Sequence, residues 1–392
     1  MKKTSYTNPK YGQQFYKLDK TNNTYKIGYG KLRNPILQFN YINDIEYIKL
    51  ESTIQTNTPE LSDLFSILYD KLFDKRQEIL EYDVKDRNIM RLYNKVKNCQ
   101  KFNNDNSDAE SVSYGGINDN KVTYGYLKGL ELFKYFDLIK TNSDVQKYGF
   151  LNCELPGGFL NAAIDINNDN NDNNSGYRFI GSSIVDDDYE YQDGWLMDCE
   201  YDGDMLNEDN LNFLEKHYES KFDLYTSDGS TRNISDNLKN TDLFYNSLYI
   251  GLVLLKNGGN FLIRLYPEVN QKLLHVLKYL EELFDDLIIS SSTITKYENF
   301  ELYLIGRNFN NSKFNKQKLK KLLNLSEDNS EYLMNPELYE YLNNYYQKKL
   351  VIIDQYLEIA EKYKEHKKII LKRLLYPIKN YFKINYENLY LN

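Results

Sequence analysis

Cysteine is scarce in this sequence, and long apolar runs are missing from it. The 392 residues hold only Cys99, Cys153 and Cys199, which form neither a Cys-x-x-Cys pair nor an even framework. We therefore expect no structural zinc site, no disulfide scaffold and a reducing compartment. No run approaches the ~20 apolar residues of a membrane span, and no apolar stretch follows the charged N-terminus. The sequence thus predicts a soluble cytoplasmic protein with no membrane partner.

An excess of positive charge is also missing, since the formal net charge is -8. This argues against uniform coating of a nucleic acid, because phosphate binding needs clustered cations. Local lysine patches can still supply them, so an RNA partner stays open. The three histidines, His217, His275 and His366, are scattered over unrelated segments and predict no metal site. Tyrosine is abundant, and together with frequent Asn, Lys and Ile it indicates an AT-rich genome.

The chain divides into three predicted parts. Residues 1–116 form an N-terminal extension of mixed structure that ends in a polar run typical of a linker. Residues 117–310 form a central domain, and residues 311–392 form a helical extension with a basic end. The basic side chains of that end are Lys362, Lys364, Lys367, Lys368, Lys372 and Arg373. They either hold RNA phosphates or complement the helix C-terminus, and the pattern leaves both interpretations open.

Short apolar runs alternate with helical stretches in the central domain, which predicts an α/β fold with a doubly wound sheet. The candidate strands are residues 149–153, 177–182, 222–227, 260–266, 286–290 and 300–307. Ligands of such folds bind beyond the carboxyl ends of the strands, so we expect functional loops after Cys153, Ser182 and Ser227. Residues 166–176 and 186–190 are interpreted as a mobile insertion and a solvated acidic loop.

The segment GFLNCELPGGFLNAAI carries the most information about a ligand. It is an apolar strand that ends at Glu154, turns through Pro156, Gly157 and Gly158, and enters a helix near Phe159. Adjacent glycines let a ligand approach the backbone, and free amides at a helix N-terminus attract a carboxylate. A tight turn without a ligand explains the same letters about as well.

The string ELPGGF resembles the E-A-P-G-G-F cofactor loop of the FtsJ-like ribose methyltransferases, a family that includes the cap 2'-O-methyltransferases of eukaryotes and large DNA viruses. Further segments follow in the family's order: GYRFIGSS, YDGDML, DLYTSDGS, LYIGLVLLKNGGNFLIRLY and TKYENFELYLIGRNF. The resemblance spans residues 121–309. It implies a Rossmann-like methyltransferase sheet, S-adenosylmethionine as the cofactor and RNA as the substrate.

The resemblance also implies a role for each matching residue. The cofactor would be bound by Glu154, Pro156, Gly157, Gly158, Phe159 and Asp204, with the two glycines at its methionine portion and Asp204 at its adenine. The family's Lys-Asp-Lys-Glu tetrad transfers to Lys128, Asp228, Arg264 and Glu301. Lys134 is a possible substitute for Lys128. No metal is implied.

Three members of the proposed tetrad also have a plain structural interpretation. Lys128 fits an ordinary surface lysine on an amphipathic helix. Asp228, followed by Gly and Ser, suits a helix cap or a turn. Glu301 alternates with apolar neighbours in a candidate strand, which predicts an exposed strand face.

Arg264 departs from the family, which has a lysine here. A lysine can be tuned to accept the proton of a ribose hydroxyl, whereas an arginine stays protonated in proteins. Arg264 is therefore excluded as a general base. It can still hold the hydroxyl or a phosphate, with alignment of the reactants as the main source of rate.

Two hypotheses of function result. The first is methyl transfer from S-adenosylmethionine to a ribose 2'-hydroxyl of RNA, close to an mRNA cap. It would take place in the host cytoplasm or in the virion of a large DNA virus. The second is a catalytically impaired relative that binds RNA or a protein of capping or transcription. Methylation of a base or of protein is disfavoured, because no Asn-Pro-Pro-Tyr-like segment lies near Asp228.

Overall fold

A computed structural model describes most of the central part of the chain. The described residues are 7–8, 12–19, 24–29, 37–40, 45–51, 53–56, 74, 124–140, 145–169, 176–184, 194–230, 237–265, 270–292, 295, 301–325 and 332–369. The predicted insertion and acidic loop lie largely or wholly outside these residues. The same holds for the side chains of the basic C-terminal run.

The N-terminal strands are β1 (Thr7–Asn8), β2 (Gly12–Asp19), β3 (Thr24–Tyr29), β4 (Leu37–Asn40), β5 (Glu46–Lys49) and β6 (Ile54–Thr56). The first four form an antiparallel sheet in chain order. β5 instead joins the large sheet of the central domain. The predicted N-terminal extension therefore contributes a strand to the domain that follows it.

The large sheet has seven strands. After β5 these are β7 (Lys147–Asn152), β8 (Tyr177–Ser182), β9 (Phe222–Ser227), β10 (Leu255–Leu265), β11 (Phe284–Ser291) and β12 (Leu302–Phe309). Their order is β5-β11-β12-β10-β9-β7-β8. Four neighbouring strands, β10, β9, β7 and β8, run parallel to one another. β12 is antiparallel to both of its neighbours, and β5 is antiparallel to β11.

Helices cover both faces of this sheet. On one face lie α1 (Tyr124–Tyr135) and α2 (Gly158–Asp169), and on the other lie α3 (Glu208–Tyr218), α4 (Asn237–Leu254) and α5 (Gln271–Leu283). Consecutive strand residues point to opposite faces, so Phe150 packs in one buried cluster and Leu151 in the other. The predicted doubly wound α/β fold is confirmed.

The C-terminal elements pack against the second face. They are a 3-10 turn (Asn311–Lys313), α6 (Lys316–Leu323), β13 (Tyr332–Met334) and α7 (Pro336–Ile369). β13 pairs with β6, and Leu319, Leu338 and Leu342 are buried in the cluster formed with α3 to α5. Within the described ranges, no helix has the length and apolar character needed to cross a bilayer.

All six predicted strands overlap an observed one, and two of them, β8 and β9, have the predicted ends. Strand β10 begins five residues earlier than predicted, directly after α4. Strand β12 begins at Leu302, so Glu301 precedes the strand and does not lie inside it.

Candidate active site

Polar side chains from several elements meet at one edge of the large sheet. β7, β8 and β9 are parallel, so their carboxyl ends share this edge, and Glu154 and Asp228 follow β7 and β9. Arg264 lies one residue before the end of β10. β12 runs the opposite way, which brings Glu301 to the same edge from its amino end. Lys128 on α1 completes the group.

Lys128 is the centre of this cluster. Its Nζ lies 3.0 Å from Asp228 Oδ2, 3.0 Å from Glu301 Oε2 and 2.9 Å from the Tyr303 hydroxyl. A lysine ammonium has three N–H donors, so these three acceptors use all of them. The side chain is buried, and the interpretation as a surface lysine is wrong.

Glu301 is shared between two cations. Its Oε2 accepts from Lys128, and its Oε1 lies 2.7 Å from Arg264 Nη2. The predicted exposed strand face is wrong, because only 5% of Glu301 is accessible to solvent. Burial alone would raise the pKa of this carboxyl, but Arg264 and Lys128 outweigh it and hold the pKa well below its ordinary value.

The proton on Lys128 is held firmly. Burial lowers the pKa of Lys128, but the carboxylates of Asp228 and Glu301 outweigh burial and the opposing charge of Arg264, so the pKa is raised. Lys128 is therefore a fixed cation in this arrangement. Neither of the two cations of the tetrad is poised to act as a general base.

Tyr303 is a member of the cluster that the sequence analysis missed. Its hydroxyl accepts from Lys128 and donates to Asp228 Oδ1 at 2.9 Å. The side chain is fully buried, and Tyr303 pairs directly with Arg264 across β10 and β12. The sequence did contain one signal for Tyr303, its position two residues after Glu301. Residues two apart in an extended chain point to the same side.

Lys134, the possible substitute for Lys128, does not belong to this cluster. It is exposed near the other end of α1, about 9 Å farther along the helix axis. The structure thus brings together the four residues predicted as a tetrad, and their catalytic roles stay predictions.

The predicted cofactor loop differs in one respect from expectation. We expected free amides at the N-terminus of α2, yet Glu154 Oε2 accepts from the Leu160 amide at 3.0 Å. The chain therefore caps this helix with its own carboxyl group. A ligand carboxylate at this loop would need other donors.

The two glycines of this loop have separate structural causes. Gly157 has a φ of 91°, a conformation that favours glycine. A Cβ on Gly158 would lie 2.7 Å from the Tyr126 amide nitrogen, so close packing against α1 requires glycine there. Pro156 is exposed, while the Phe159 ring is buried in the core, 5.7 Å from the ring of Phe133. The Phe159 ring is thus part of the core, and the predicted contact of Phe159 with a cofactor stays a prediction.

Glu154 has unusual surroundings for a carboxyl group. The residue is 4% exposed, and its Oε1 has no hydrogen-bond partner among the described residues. Burial raises the pKa of Glu154 to about 8, although the Leu160 amide opposes the shift. Glu154 therefore holds its proton to higher pH than an ordinary carboxyl group, and one of its oxygens is buried without a partner among these residues.

Asp204 lies in a loop beside the same sheet edge. Its Oδ1 accepts from the Leu206 amide at 2.9 Å, and its carbonyl accepts from Asn210 at 2.9 Å. Gly203 lies so close to Ser183 that a Cβ would come within 1.8 Å of the Ser183 carbonyl oxygen. This loop is thus held against the end of β8. The predicted contact of Asp204 with adenine stays a prediction.

No group of three or more His, Cys, Asp or Glu side chains in the described part of the chain could hold a metal ion. The candidate site is therefore a cluster of fixed charges beside a glycine turn. Such an arrangement can align a hydroxyl group and stabilise charge that develops on it.

The family model of the FtsJ-like methyltransferases matches residues 122–309. This stretch resembles the FtsJ-like methyltransferases, and we call it the FtsJ-like domain. The matched residues contain every element that supplies the predicted tetrad and Tyr303.

Relatives of this FtsJ-like domain occur in a virus and in archaea. The protein named "Probable methyltransferase EP424R" of African swine fever virus is 29% identical over 214 residues, which cover 48% of this chain and 49% of the viral one. The ribosomal RNA large subunit methyltransferase E of Methanococcus maripaludis is 28% identical over 214 residues, covering 50% of this chain and 70% of its own. The chain thus spans about half the length of the viral relatives it matches.

Among solved structures, that of human methyltransferase-like protein 13 in complex with SAH is similar in fold. The alignment covers 56% of this chain and 90% of the human chain. Its TM-score is 0.31 and its sequence identity is 13%.

Proposed function

We propose that the FtsJ-like domain transfers a methyl group from S-adenosylmethionine to a ribose 2'-hydroxyl of RNA, close to an mRNA cap. The observation that carries the proposal is the buried cluster of Lys128, Asp228, Arg264 and Glu301 at the carboxyl edge of the sheet. The match of residues 122–309 to a family of methyltransferases supports the reaction class. The ribosomal RNA named for the archaeal relatives supports RNA as the substrate.

The residues beside the cluster fit such a cofactor. The buried Oε1 of Glu154, which has no hydrogen-bond partner in the described part of the chain, can bind a polar group of its amino-acid portion, and Asp204 lies near the same sheet edge. S-adenosylmethionine, when bound, supplies a sulfonium-activated methyl group. In the proposed transfer the methyl group would leave the sulfur, which would keep the electron pair of the broken bond, and would bond to the ribose oxygen.

Asp228 is the group best placed to receive the hydroxyl proton. Its side chain is 16% exposed, against 6% for Glu301, and Lys128 and Tyr303 fix its orientation. A ribose oxygen that gains a methyl group becomes far more acidic than a carboxylic acid, so a carboxylate suffices as acceptor. The proton then passes from Asp228 to water. This route avoids the need for a neutral amine at position 264.

The test is methyl transfer to a capped RNA oligonucleotide with labelled cofactor, read out by mass spectrometry of the digested nucleosides. We expect 2'-O-methylated product from the wild-type chain and a loss of at least ~100-fold with Asp228→Asn. Asp285→Asn is the matched control, because Asp285 is exposed near the start of β11, away from the sheet edge that carries the cluster. An uncapped oligonucleotide of the same sequence tests the requirement for the cap. Absence of product from the wild-type chain on both RNAs would refute the proposal.

A second candidate function is a binding role without catalysis. The observation that favours it is that Lys128 and Arg264 are both held as cations. Arg264→Lys separates the two candidates. Activity that appears only in this variant supports a binding role for the natural chain, whereas activity of the wild type removes it.

A further inference from the structure

Helix α7 contacts the catalytic cluster from outside the FtsJ-like domain. The hydroxyl of Tyr345 donates to the backbone carbonyl of Glu301 at 3.3 Å, and this hydrogen bond is buried. Lys349 follows one helical turn later and therefore lies on the same side of α7. Its Nζ is 5.4 Å from the centre of the Tyr345 ring. Both residues belong to the C-terminal extension, beyond the matched residues 122–309.

The burial of Lys349 is unusual, because lysines are almost never fully buried unless they are paired with an opposite charge. Lys349 is 5% exposed. Its positive charge acts on Glu301 and, together with Arg264 and Lys128, keeps the pKa of that carboxyl low against the effect of burial. Glu301 is thus influenced by three cations, two from the FtsJ-like domain and one from α7.

The position of α7 is fixed by contacts along its first half. The side chain of Asn335 accepts from the Leu338 amide at 2.9 Å and caps the helix. Tyr341 donates to the carbonyl of Glu46 on β5 at 3.1 Å, and Tyr346 is fully buried. Because α7 is anchored on both sides of Tyr345, it can hold a side chain in a defined place beside Glu301.

We propose that Lys349 is a positioning residue of the catalytic cluster, which acts by holding the Glu301 carboxylate ionised and oriented between Lys128 and Arg264. The proposal rests on the proposed function. Glu301 binds Lys128 directly, and Lys128 binds Asp228, so a displaced Glu301 misplaces the group that receives the proton. The C-terminal extension is in this view a structural part of the active site.

The first experiment compares the charge-removing variant Lys349→Met with Lys349→Arg in the full-length chain. We expect kcat to fall on the order of 10–100-fold in Lys349→Met with nearly unchanged KM for RNA and cofactor. Lys349→Arg should recover most of the rate, because it keeps the charge. The acid limb of the kcat profile should move to higher pH in Lys349→Met, since loss of the cation raises the pKa of Glu301.

Lys348→Met is the matched control. Lys348 is the preceding residue of α7, has a 51% exposed side chain and pairs with Glu46. Its loss removes the same charge from the same helix without touching Glu301. Equal kcat values and acid limbs for the Lys348→Met and Lys349→Met variants would overturn the positioning role.

A second measurement does not depend on activity. The Tm deficit of Lys349→Met relative to wild type, measured at pH 7 where Glu301 is ionised, reports the loss of the Lys349 charge. The deficit should shrink by at least half in a Glu301→Gln background. Tyr345→Phe, which keeps the charge, should lower Tm without moving the acid limb.

These outcomes separate the two proposals. A wild-type chain that methylates RNA but is insensitive to Lys349→Met overturns the positioning role alone. A wild-type chain that transfers no methyl group overturns the proposed function, and the Tm coupling then decides whether Lys349 holds Glu301. An undiminished Tm deficit in the Glu301→Gln background would overturn that contact.

Discussion

Lys128→Met is the substitution that tests the charge cluster most directly. Methionine keeps the length and apolar stem of lysine and removes the ammonium group. The change leaves Asp228 and Glu301 beside each other without the cation that bridges them at 3.0 Å on each side. It also removes the donor to the Tyr303 hydroxyl.

The size of the effect follows from burial. Removing one partner of a buried ion pair costs about 3–5 kcal/mol. Both carboxylates are well under one-third exposed, so solvent screening reduces this value little. Glu301 keeps Arg264, which favours the lower end of the range. With a Tm change of about 2–4 °C per kcal/mol for a domain of this size, a Tm drop of roughly 6–12 °C is expected near neutral pH.

The pH dependence gives a second signature. Because the pKa of Glu301 is depressed in the folded chain, its contribution to stability is present above the unfolded pKa of about 4.5 and is lost as pH falls. Lys128→Met reduces that contribution. The Tm difference between wild type and variant should therefore be full above pH 5 and shrink steadily toward pH 3.

The assay is thermal unfolding followed by circular dichroism between pH 3 and pH 8. Lys134→Met is the control, because Lys134 is exposed on the same helix and its loss should change the free energy of unfolding by no more than about 0.5 kcal/mol. A Lys128→Met variant that melts together with the Lys134→Met variant at every pH would refute the idea of a buried charge cluster.

Two further substitutions probe the neighbours of this cluster. Tyr303→Phe removes the hydroxyl between Lys128 and Asp228. One buried N–H of Lys128 then lacks an acceptor, which should lower the free energy of unfolding by about 1–3 kcal/mol. A lower kcat with unchanged KM should accompany the lower Tm. Glu154→Gln imitates the protonated carboxyl group. The folded pKa of Glu154, about 8, exceeds the unfolded value of 4.5, so the stability of the wild type falls as pH rises from 5 to 8. The Tm of the variant relative to wild type should therefore rise over the same interval.

Much of the fold was readable from local sequence patterns. Largely apolar runs of six residues predicted β8 and β9 with the observed ends, because each run is bounded by polar or glycine residues. β5 was missed, since its four residues pair with β11, more than 230 positions away. A short strand of this kind acquires its structure from its partner and has no pattern of its own.

The candidate site was predicted residue by residue, but its surroundings were not. The resemblance named Lys128 and Glu301, whereas their burial depends on Tyr303, Tyr345 and α7, which pack there only in the folded chain. The capping of α2 by Glu154 could not be read from ELPGGF either. The same sequence is compatible with free or with hydrogen-bonded amides at the helix N-terminus, and only the position of the carboxyl group distinguishes the two.

The charges of the cluster explain how an arginine is tolerated at position 264. Lys128, Asp228, Arg264 and Glu301 balance as two cations and two anions, all poorly exposed. A lysine that lost its proton at position 264 would leave one carboxylate uncompensated, which is costly in a buried site. Arginine keeps its positive charge across the pH range and pairs with Glu301 at 2.7 Å, at the expense of acid-base chemistry. In the proposed mechanism that chemistry falls to Asp228, the most exposed member, and the rest of the cluster holds it in place.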